Sequence, residues 1–363
     1  MLALRAHAQT EGLVLEDAPV PTPGPHDVIV KVVSAGVAPG ITRLLAMGGF
    51  KMLPTTIGHE AAGIVAEIGS EVAGFAVGDR VRMHPHLNCR NCRYCLSDRE
   101  MMCIQQTVIG FASFNPVPSP LYAEYHNGGL AEYVRVPHWV LDPLHETVPF
   151  DVATKVHDLA DAVRALKLAD MPLGATLAIT APTGAMGTGT IKLAASFGVA
   201  RLILIGRDHD RLQSAATLAG DIPTDVVTLA ELDGDWETTE ALPHRLRELA
   251  PQGVDAVLDY MPAGPIVGKV MAGLATGGAL VHMGANFTPL QVSAGVLMQN
   301  CLRFIGTRAC TRTDARQVLQ LLSSGQLVAD DLITHRFALK DAIEAVDAVQ
   351  RRTEPMWMTV VNP

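Results

Sequence analysis

Four of the six cysteines of this 363-residue chain lie within fifteen residues, as Cys89-x2-Cys92-x2-Cys95-x7-Cys103. Thiolates at this spacing on a tight loop can close tetrahedrally on one Zn²⁺. Four thiolates leave no open coordination position, so the sequence predicts a structural zinc rather than a catalytic one. A disulfide pair and an iron–sulfur cluster are the alternatives for the same cysteines. The N-terminus lacks the apolar stretch of a secretory signal, and the flanking motifs fit zinc better, so zinc is favoured.

The composition excludes several classes of function. Hydrophobic residues make up 48% of the chain and charged residues 18%, which is typical of an ordinary soluble protein. The formal charge is 28 − 37 = −9, without a run of lysine and arginine, which argues against nucleic-acid binding. No apolar run reaches the length of a bilayer span. We therefore expect a cytoplasmic protein that acts on a small molecule and has neither nucleic acid nor membrane as a partner.

The residue pattern changes near position 150 and predicts two domains. Before it, short β-like runs such as Val28–Val33 and Gly63–Gly69 are separated by Gly and Pro, which indicates a barrel-like β domain. After it, apolar strands such as Ala175–Thr180 and Val254–Asp259 alternate with helical segments, which is typical of a doubly wound parallel sheet. Residues 111–127, which contain three prolines, are expected to form a loop without regular structure.

A variant of the dinucleotide-binding fingerprint follows the strand at 175–180, as Ala181-Pro182-Thr183-Gly184-Ala185-Met186-Gly187. The first glycine of this run lets the backbone approach a pyrophosphate, and the second lets the helix pack close to the sheet. The N–H groups of the helix N-terminus would then face the phosphates. An ordinary strand-to-helix turn is the alternative. We expect the coenzyme to be bound by Thr183, Gly184, Ala185, Met186 and Gly187, together with Arg211 and Gly284.

The end of the next strand bears on the choice of coenzyme. An NAD enzyme usually places a carboxylate there to bond the ribose 2′-OH. Here Gly206 leaves room at that point and Arg207 follows it, and an arginine can pair with a 2′-phosphate. The sequence therefore favours NADP(H) over NAD(H). Asp208 speaks against this, although its position is more typical of a helix N-cap than of ribose binding.

Further motifs flank these sites, and the set occurs in a fixed order. The motifs are Gly58-His59-Glu60-x2-Gly63, Val77-Gly78-Asp79-Arg80-Val81, the four cysteines, Gly128-Gly129-Leu130-Ala131-Glu132-Tyr133 and the fingerprint. In this order the chain resembles the zinc-containing alcohol dehydrogenase family of the medium-chain dehydrogenase/reductase superfamily, nearly from end to end. The resemblance implies an α/β protein with a chaperonin-10-like β-barrel catalytic domain and a doubly wound Rossmann coenzyme domain. It also implies an active site between the domains and assembly into a homodimer or homotetramer.

The resemblance also places the domain boundaries. The catalytic domain is expected at residues 1–157 and 305–363, with a structural zinc lobe at about 85–105, and the Rossmann domain at 158–304. The segment 111–127 is longer than the corresponding connection in the family. We expect it to wall the substrate site with apolar and aromatic side chains, whereas a surface excursion or an oligomer contact is the alternative. Its large side chains are Phe111, Phe114, Leu121, Tyr122 and Tyr125.

The family's catalytic positions are where this chain departs from the pattern. Ala38 stands where the family has a cysteine ligand of its catalytic zinc, Gly40 where it has the hydroxyl that relays the substrate proton, and Ile41 where it has a supporting acid. The second ligand pair is retained as His59 and Glu60. The third ligand position, usually cysteine, matches His157, with Asp158 beside it. His84 and His86, which flank the cysteine lobe, are expected to be loop residues rather than metal ligands, because the four thiolates already complete a zinc ligand set.

These residues support two chemistries and one alternative of another class. In the first, an NADP(H)-dependent oxidoreductase reduces an activated C=C, C=N, iminium or carbonyl group without a catalytic zinc. His157 or His59 then donates the proton, and Asp158 or Glu60 orients the donor. In the second, His59, Glu60 and His157 hold a second zinc with one open position, and alcohol–ketone chemistry survives. The third is an inactive nucleotide-binding sensor or scaffold.

Overall fold

The computed structural model describes residues 1–9, 11–113 and 119–363. They form two compact units, Met1–His157 with Thr311–Pro363 and Asp158–Cys310. The strands in chain order are β1 (Leu2–Ala6), β2 (Leu13–Asp17), β3 (Asp27–Gly36), β4 (Thr55–Thr56), β5 (Ala61–Ile68), β6 (Arg80–Met83), β7 (His86–Leu87), β8 (Thr107–Val108), β9 (Ala112–Ser113), β10 (Tyr133–Pro137), β11 (Leu141–Pro143), β12 (Ala175–Thr180), β13 (Val199–Gly206), β14 (Thr224–Thr228), β15 (Val254–Asp259), β16 (Leu274–His282), β17 (Arg303–Gly306), β18 (Ile333–Ala338) and β19 (Met358–Asn362). The α-helices are α1 (Ile41–Ala46), α2 (Pro120–Glu124), α3 (Phe150–Thr154), α4 (Val156–Ala169), α5 (Ala185–Leu193), α6 (His209–Ala216), α7 (Ala241–Leu249), α8 (Ile266–Met271), α9 (Ala294–Gln299), α10 (Arg312–Ser323) and α11 (Ala342–Arg351).

The first unit is the predicted β domain. Its largest sheet runs in the order β11-β6-β5-β3-β19-β18, with β10 also paired to β3, and a second sheet runs β2-β1-β4. The central strand β3 is buried along most of its length, with Lys31 as its exposed residue, because both of its faces are apolar. The C-terminal strand β19 pairs antiparallel with β3, so the end of the chain returns to this domain. Apolar side chains such as Leu4, Phe50 and Ile57 fill its core.

The segment 111–127 differs from the expected loop. Ala112–Ser113 forms strand β9, which completes a small sheet in the order β7-β8-β9, and Pro120–Glu124 forms helix α2. The helix begins there because the Ser119 hydroxyl accepts the N–H of Tyr122 and Pro120 occupies the first turn. The prediction of an irregular loop was therefore wrong for these residues. Phe114 lies outside the described residues.

The second unit is a six-stranded parallel sheet flanked by helices. Its strand order is β14-β13-β12-β15-β16-β17, so the order reverses between β12 and β15. This is the doubly wound arrangement that the alternating pattern predicts. The predicted strands Ala175–Thr180 and Val254–Asp259 have the same bounds in the structure. Their buried apolar side chains, including Ala178, Val254 and Val257, form the core under the sheet.

Candidate active site and coenzyme site

The cysteine lobe brings its four thiols together. The Sγ atoms of Cys89, Cys92, Cys95 and Cys103 lie within 4.8 Å of one another. Three of these separations are 3.8 Å for Cys89–Cys95, 3.5 Å for Cys92–Cys95 and 3.6 Å for Cys103–Cys89. Tetrahedral zinc with Zn–S bonds of about 2.3 Å holds its sulfur atoms about 3.8 Å apart. The four thiols therefore fit one tetrahedral zinc and leave no coordination position for a substrate.

Local structure and charge explain why a cation suits this lobe. Arg90 adopts a positive φ of 64°, which turns the chain tightly between Cys89 and Cys92. The backbone N–H of Cys95 lowers the pKa of the Cys92 thiol to about 6. Burial raises the pKa of the Cys95 and Cys103 thiols above their usual range. A bound cation is what would allow all four to be thiolates, because a metal deprotonates the thiols that coordinate it.

The fingerprint residues occupy the turn between β12 and the N-terminus of α5. Gly184 is the N-cap of α5, and Ala185 and Met186 form its first turn. A Cβ atom on Gly187 would lie 2.6 Å from Cα of Pro182, so only glycine allows the helix to pack this closely. The N–H groups at the start of the helix have no intrahelical partners and form a site suited to a pyrophosphate. Thr183 precedes the N-cap and is half-buried.

The end of β13 carries the residues expected to select the coenzyme. Gly206 is the last residue of the strand, and a Cβ there would lie 3.0 Å from Cδ2 of Leu212. Arg207 follows it and is exposed. Asp208 caps α6 by accepting the N–H of Arg211 at 3.0 Å, which confirms its expected N-cap role. Its carboxylate also lies 3.1 Å from Nε of Arg211, so the Arg211 guanidinium is paired with Asp208.

Gly284 follows β16 at the same edge of the parallel sheet. A Cβ on this residue would lie 2.3 Å from the carbonyl oxygen of Met261, so the loops after β15 and β16 approach too closely for a side chain. The expected coenzyme residues of the second unit thus lie after the carboxyl ends of β12, β13 and β16. That is the edge of a doubly wound sheet at which ligands bind.

The expected catalytic residues His59 and His157 lie side by side in the first unit. Their ring centroids are 5.3 Å apart, and the planes are nearly perpendicular at 87°. His59 also packs against Phe111 at 4.4 Å. Nε2 of His59 lies 3.5 Å from Oε1 of Glu60. Asp158 follows His157 on α4, but consecutive helix residues do not face each other, so helix geometry alone does not make Asp158 the partner of His157.

A buried lysine that the sequence analysis did not consider occupies this site. Nζ of Lys155 lies 2.5 Å from Oε2 of Glu60, and both side chains are only 1% exposed. Glu60 also packs tightly against the main chain, since a Cβ on Gly36 would lie within 1.8 Å of its carboxylate. The carboxylate therefore has an ammonium partner. In the described ranges, His59, Glu60 and His157 do not form a group with one donor atom each within 4.8 Å.

Two further histidines extend the cluster. The prediction that they are loop residues is confirmed for His84, which lies between β6 and β7, and wrong for His86. His86 begins strand β7, and its ring centroid lies 5.1 Å from that of His157. The His84 ring lies 4.9 Å further on, and both side chains are buried. Burial, followed by the neighbouring His86, lowers the pKa of His157 and of His84 well below its usual range. Nδ1 of His84 accepts a hydrogen bond from Arg82 at 2.9 Å, because a guanidinium can only donate.

The remaining departures from the family pattern are apolar in the structure. Ile41 is 1% exposed and belongs to the barrel core, and Ala38 packs against that core. Gly40 precedes helix α1. Tyr122 and Tyr125 are also buried in this unit, and the Tyr125 hydroxyl donates to Asp27 at 2.7 Å. Leu121 packs on the same core. Phe111 is thus the one large side chain among those described in 111–127 that the structure places against an expected catalytic residue.

Comparison with known proteins assigns this architecture to a family. Residues 24–146 match the family model described as an alcohol dehydrogenase GroES-like domain, and residues 185–324 match the one described as a zinc-binding dehydrogenase. Together the two matches cover more than half of the chain. The chain belongs to the zinc-type alcohol dehydrogenase family of the medium-chain dehydrogenase/reductase superfamily. It is therefore an oxidoreductase that acts with a nicotinamide coenzyme.

Members of the alcohol dehydrogenase family match along nearly their whole length. The chain is 27% identical over 361 residues to the NAD-dependent alcohol dehydrogenase of Sulfurisphaera tokodaii, covering 96% of each protein. It is 24% identical over 353 residues to the L-threonine 3-dehydrogenase of Deinococcus radiodurans, covering 96% of this chain and 94% of that one. The solved alcohol dehydrogenase TADH from Thermus sp. ATN1 superposes with a TM-score of 0.84 at 22% identity, covering 100% of both chains. This structural likeness confirms the predicted fold of a GroES-like β domain and a Rossmann domain.

No helix in the described part of the chain combines the length and the apolar character needed to cross a membrane.

Proposed function

We propose that the protein is an NADP(H)-dependent reductase of an activated double bond in a small organic molecule, working without a standard catalytic zinc. The acceptor is a conjugated C=C, an imine or iminium, or an activated carbonyl. The observation that carries this proposal is the buried Lys155–Glu60 ion pair beside His59 and His157. The ammonium already neutralises the carboxylate that a metal would need. Ala38 supplies no thiolate, and loss of a soft ligand lowers affinity for zinc.

The proposed chemistry follows from the altered ligand set, in which Ala38 supplies no thiolate and Glu60 is paired with Lys155, so that no Lewis acid is proposed at this site. Without one, hydride must go to an acceptor that is already electrophilic. Bound NADPH would supply a hydride, with its electron pair, to one atom of the double bond. A residue of this chain would supply the proton to the other atom of a C=C, imine or carbonyl group, whereas an iminium needs the hydride alone. We assign the proton to His157, with His59 as the second candidate. Burial keeps His157 neutral, and a neutral imidazole in an enzyme site can donate its N–H to developing negative charge.

The row of imidazoles supports this assignment by offering a way to return the proton. A neutral imidazole accepts a proton at one nitrogen and releases one from the other. Rings about 5 Å apart can bring two nitrogens to hydrogen-bond distance, about 3 Å, when they turn toward each other. His86 continues the row from His157 and itself lines a cavity of about 360 Å³, together with His84, Glu100 and Arg312. Because Nδ1 of His84 is occupied by Arg82, we propose that His86 reprotonates His157 after each turnover.

The test compares two acceptors of matched size. NADPH oxidation is followed with cyclohex-2-enone and with cyclohexanone, in the protein before and after dialysis against a mild chelator. We expect faster reduction of the enone, and a loss of about 10²-fold in its kcat in His157→Ala with unchanged NADPH affinity, the usual scale for a lost general acid. Faster reduction of the saturated ketone, abolished by chelation, would overturn the proposal. Tight NADPH binding with no turnover of any enone, imine or ketone would instead match a nucleotide-binding sensor or scaffold.

A zinc-dependent alcohol dehydrogenase is the second candidate function. It is favoured by the 5.3 Å separation of the His59 and His157 rings, because two imidazoles on one tetrahedral metal have centroids about 5 Å apart at Zn–N bonds of about 2.1 Å. His59, Glu60 and His157 would then hold the metal, but Glu60 would first have to leave Lys155. Activity on simple alcohols that disappears on chelation and returns with zinc distinguishes this candidate from the first.

The coenzyme and the structural metal complete the proposal. An exposed Arg207 after Gly206 supports pairing with the 2′-phosphate of NADP(H). The four converging thiols of the cysteine lobe support one structural zinc per subunit.

We also propose that the protein forms a homodimer or homotetramer. The edge strand β17 and the neighbouring helix α9 leave large apolar side chains in solvent, a pattern that marks protein contacts when the side chains are contiguous. These include Val296 (44% exposed), Met298 (76%) and Phe304 (41%). Sedimentation of the wild type and of Met298→Glu measures the assembly directly, and we expect the variant to dissociate. A monomeric wild type would contradict the proposal.

A further inference from the structure

Three neighbouring strands of the second unit end in side chains that bond to one another. Asp259, the last residue of β15, is completely buried. The hydroxyl of Thr180, the last residue of β12, donates to one of its carboxylate oxygens. Nδ1 of His282, the last residue of β16, lies 2.6 Å from the other oxygen. Because an ionised carboxylate only accepts, the His282 ring donates from Nδ1, and this fixes the orientation of the imidazole.

The other nitrogen of His282 holds the loop that follows β16. Nε2 accepts the backbone N–H of Asn286 at 3.3 Å. The Asn286 side chain donates to the carbonyl oxygen of Gly264 at 2.8 Å, and the N–H of Gly264 donates to the Thr288 hydroxyl at 3.1 Å. The His282 imidazole therefore links the buried end of the sheet to the loop 283–288. Asn286 and Thr288 link that loop to the loop that follows β15.

The loop 283–288 is held in a conformation that needs such support. Ala285 has a positive φ of 53°, a conformation that costs free energy for a residue with a side chain. Gly284 lies so close to the carbonyl oxygen of Met261 that no side chain fits between them. Since this backbone is not the one the chain would choose locally, contacts from outside the loop must maintain it, and His282 supplies one of them from the sheet.

The position of this network relates it to one half of the coenzyme. Ligands of doubly wound sheets bind outside the carboxyl ends of the strands, where the strand order reverses, and each half of the sheet takes one mononucleotide. In this unit β12–β14 carry the fingerprint turn and Gly206, so they form the adenosine half. Strands β15–β17 form the other half, which takes the nicotinamide mononucleotide. Asp259 and His282 lie at the carboxyl ends of β15 and β16, on the nicotinamide side.

We propose that His282, oriented by Asp259, is a positioning residue for the nicotinamide half of the coenzyme, fixing the backbone of residues 283–288 in the shape which that half binds. The role does not depend on the reaction that follows; its test rests on the proposed preference for NADP(H), which the wild-type dissociation constants of NADPH and NADH check separately.

The test measures two ligands that differ in the nicotinamide half. Dissociation constants of NADPH and of adenosine 2′,5′-bisphosphate are determined for the wild-type protein and for His282→Ala. We expect NADPH to bind about tenfold more weakly or worse to the variant, while the adenosine fragment changes less than twofold. The exposed His244 on α7 provides the matched control His244→Ala, which should change neither constant. Equal weakening of both ligands, or no weakening of either, would overturn the proposal.

Two side chains of different reach separate positioning from general packing. In His282→Gln, the side-chain amide extends to the position of Nε2, and its oxygen can accept the N–H of Asn286. In His282→Asn, the shorter side-chain amide reaches only the position of Nδ1. We expect the glutamine variant to recover most of the NADPH affinity and the asparagine variant to recover little. The reverse order would refute the role of the loop. Should the His282 variants fail to fold, Asn286→Ala perturbs the same loop from its other side and must give the same difference between the two ligands.

Discussion

Replacing Lys155 by methionine tests whether the buried pair with Glu60 holds the first unit together. The two side chains are 1% exposed and 2.5 Å apart, so the substitution leaves a carboxylate buried without its cation. Removing one partner of a buried ion pair typically costs about 3–5 kcal/mol of the free energy of unfolding. In a protein unit of roughly 200 residues each kcal/mol lowers the Tm by about 2–4 °C, so a decrease of about 10 °C is expected.

Urea unfolding and calorimetry of matched variants measure this cost. The double variant Lys155→Met/Glu60→Gln removes the charge as well as its partner, so it should recover most of the lost free energy. Arg245→Met, which breaks the exposed pair with Glu248, is the control and should cost less than about 1 kcal/mol. A loss below 1 kcal/mol in the single variant, or a double variant no more stable than the single one, would refute the argument from burial.

Three further outcomes are expected. Cys95→Ser should release the structural zinc and lower the Tm, because the fold of the lobe depends on the free energy of metal binding; unchanged zinc content by mass spectrometry would contradict this. Gly206→Asp should weaken the binding of NADPH far more than that of NADH, because the new carboxylate repels the 2′-phosphate and opposes its charge-assisted bond with Arg207, which is worth about 1.5–3 kcal/mol. A wild type that already prefers NADH would contradict the assignment. The pKa values of His84 and His157 are lowered in the folded protein. Below about pH 6.5 the unfolded chain therefore binds more protons than the folded protein. The free energy of unfolding should then decrease as the pH falls, by up to about 1.4 kcal/mol per pH unit for each histidine. A denaturation midpoint of the wild type that does not change between pH 7 and pH 5 would contradict this explanation. So would a decrease in the midpoint of His84→Asn that is as large as that of the wild type.

Local patterns were enough to predict much of the fold. The strands at 175–180 and 254–259, the fingerprint turn and the converging cysteines all depend on residues close together in the chain, and the structure has each of them. Helix α2 also had a readable signal, a serine cap followed by proline, which the density of prolines in 111–127 obscured.

The parts of the candidate site that the sequence did not reveal depend on distant residues. Lys155 and Glu60 are 95 positions apart, and no local pattern indicates that they pair. His86 resembles part of the cysteine lobe in the sequence, but the fold of the β domain places it beside His157. The Asp259–His282 pair could have been suspected, because both are polar residues at the carboxyl ends of apolar strands, where ligands of such sheets bind.

At the family's catalytic metal position, the loss of thiolate ligands and the presence of Lys155 together keep the net charge of the site close to zero. The family pattern there has a divalent cation and two thiolates, whereas this chain has Ala38 and His157 in place of the thiolates and a single positive charge on Lys155 facing the single negative charge of Glu60. A buried site must stay close to neutral, because an uncompensated charge is costly to bury. Restoring only the thiolate ligand, in Ala38→Cys, should therefore not create a zinc site, because Lys155 still forms its ion pair with Glu60. Ala38→Cys combined with Lys155→Met should raise the bound zinc from one to two per chain, measured by mass spectrometry after dialysis. Two zinc ions in the single variant Ala38→Cys would show that Lys155 does not keep the metal out.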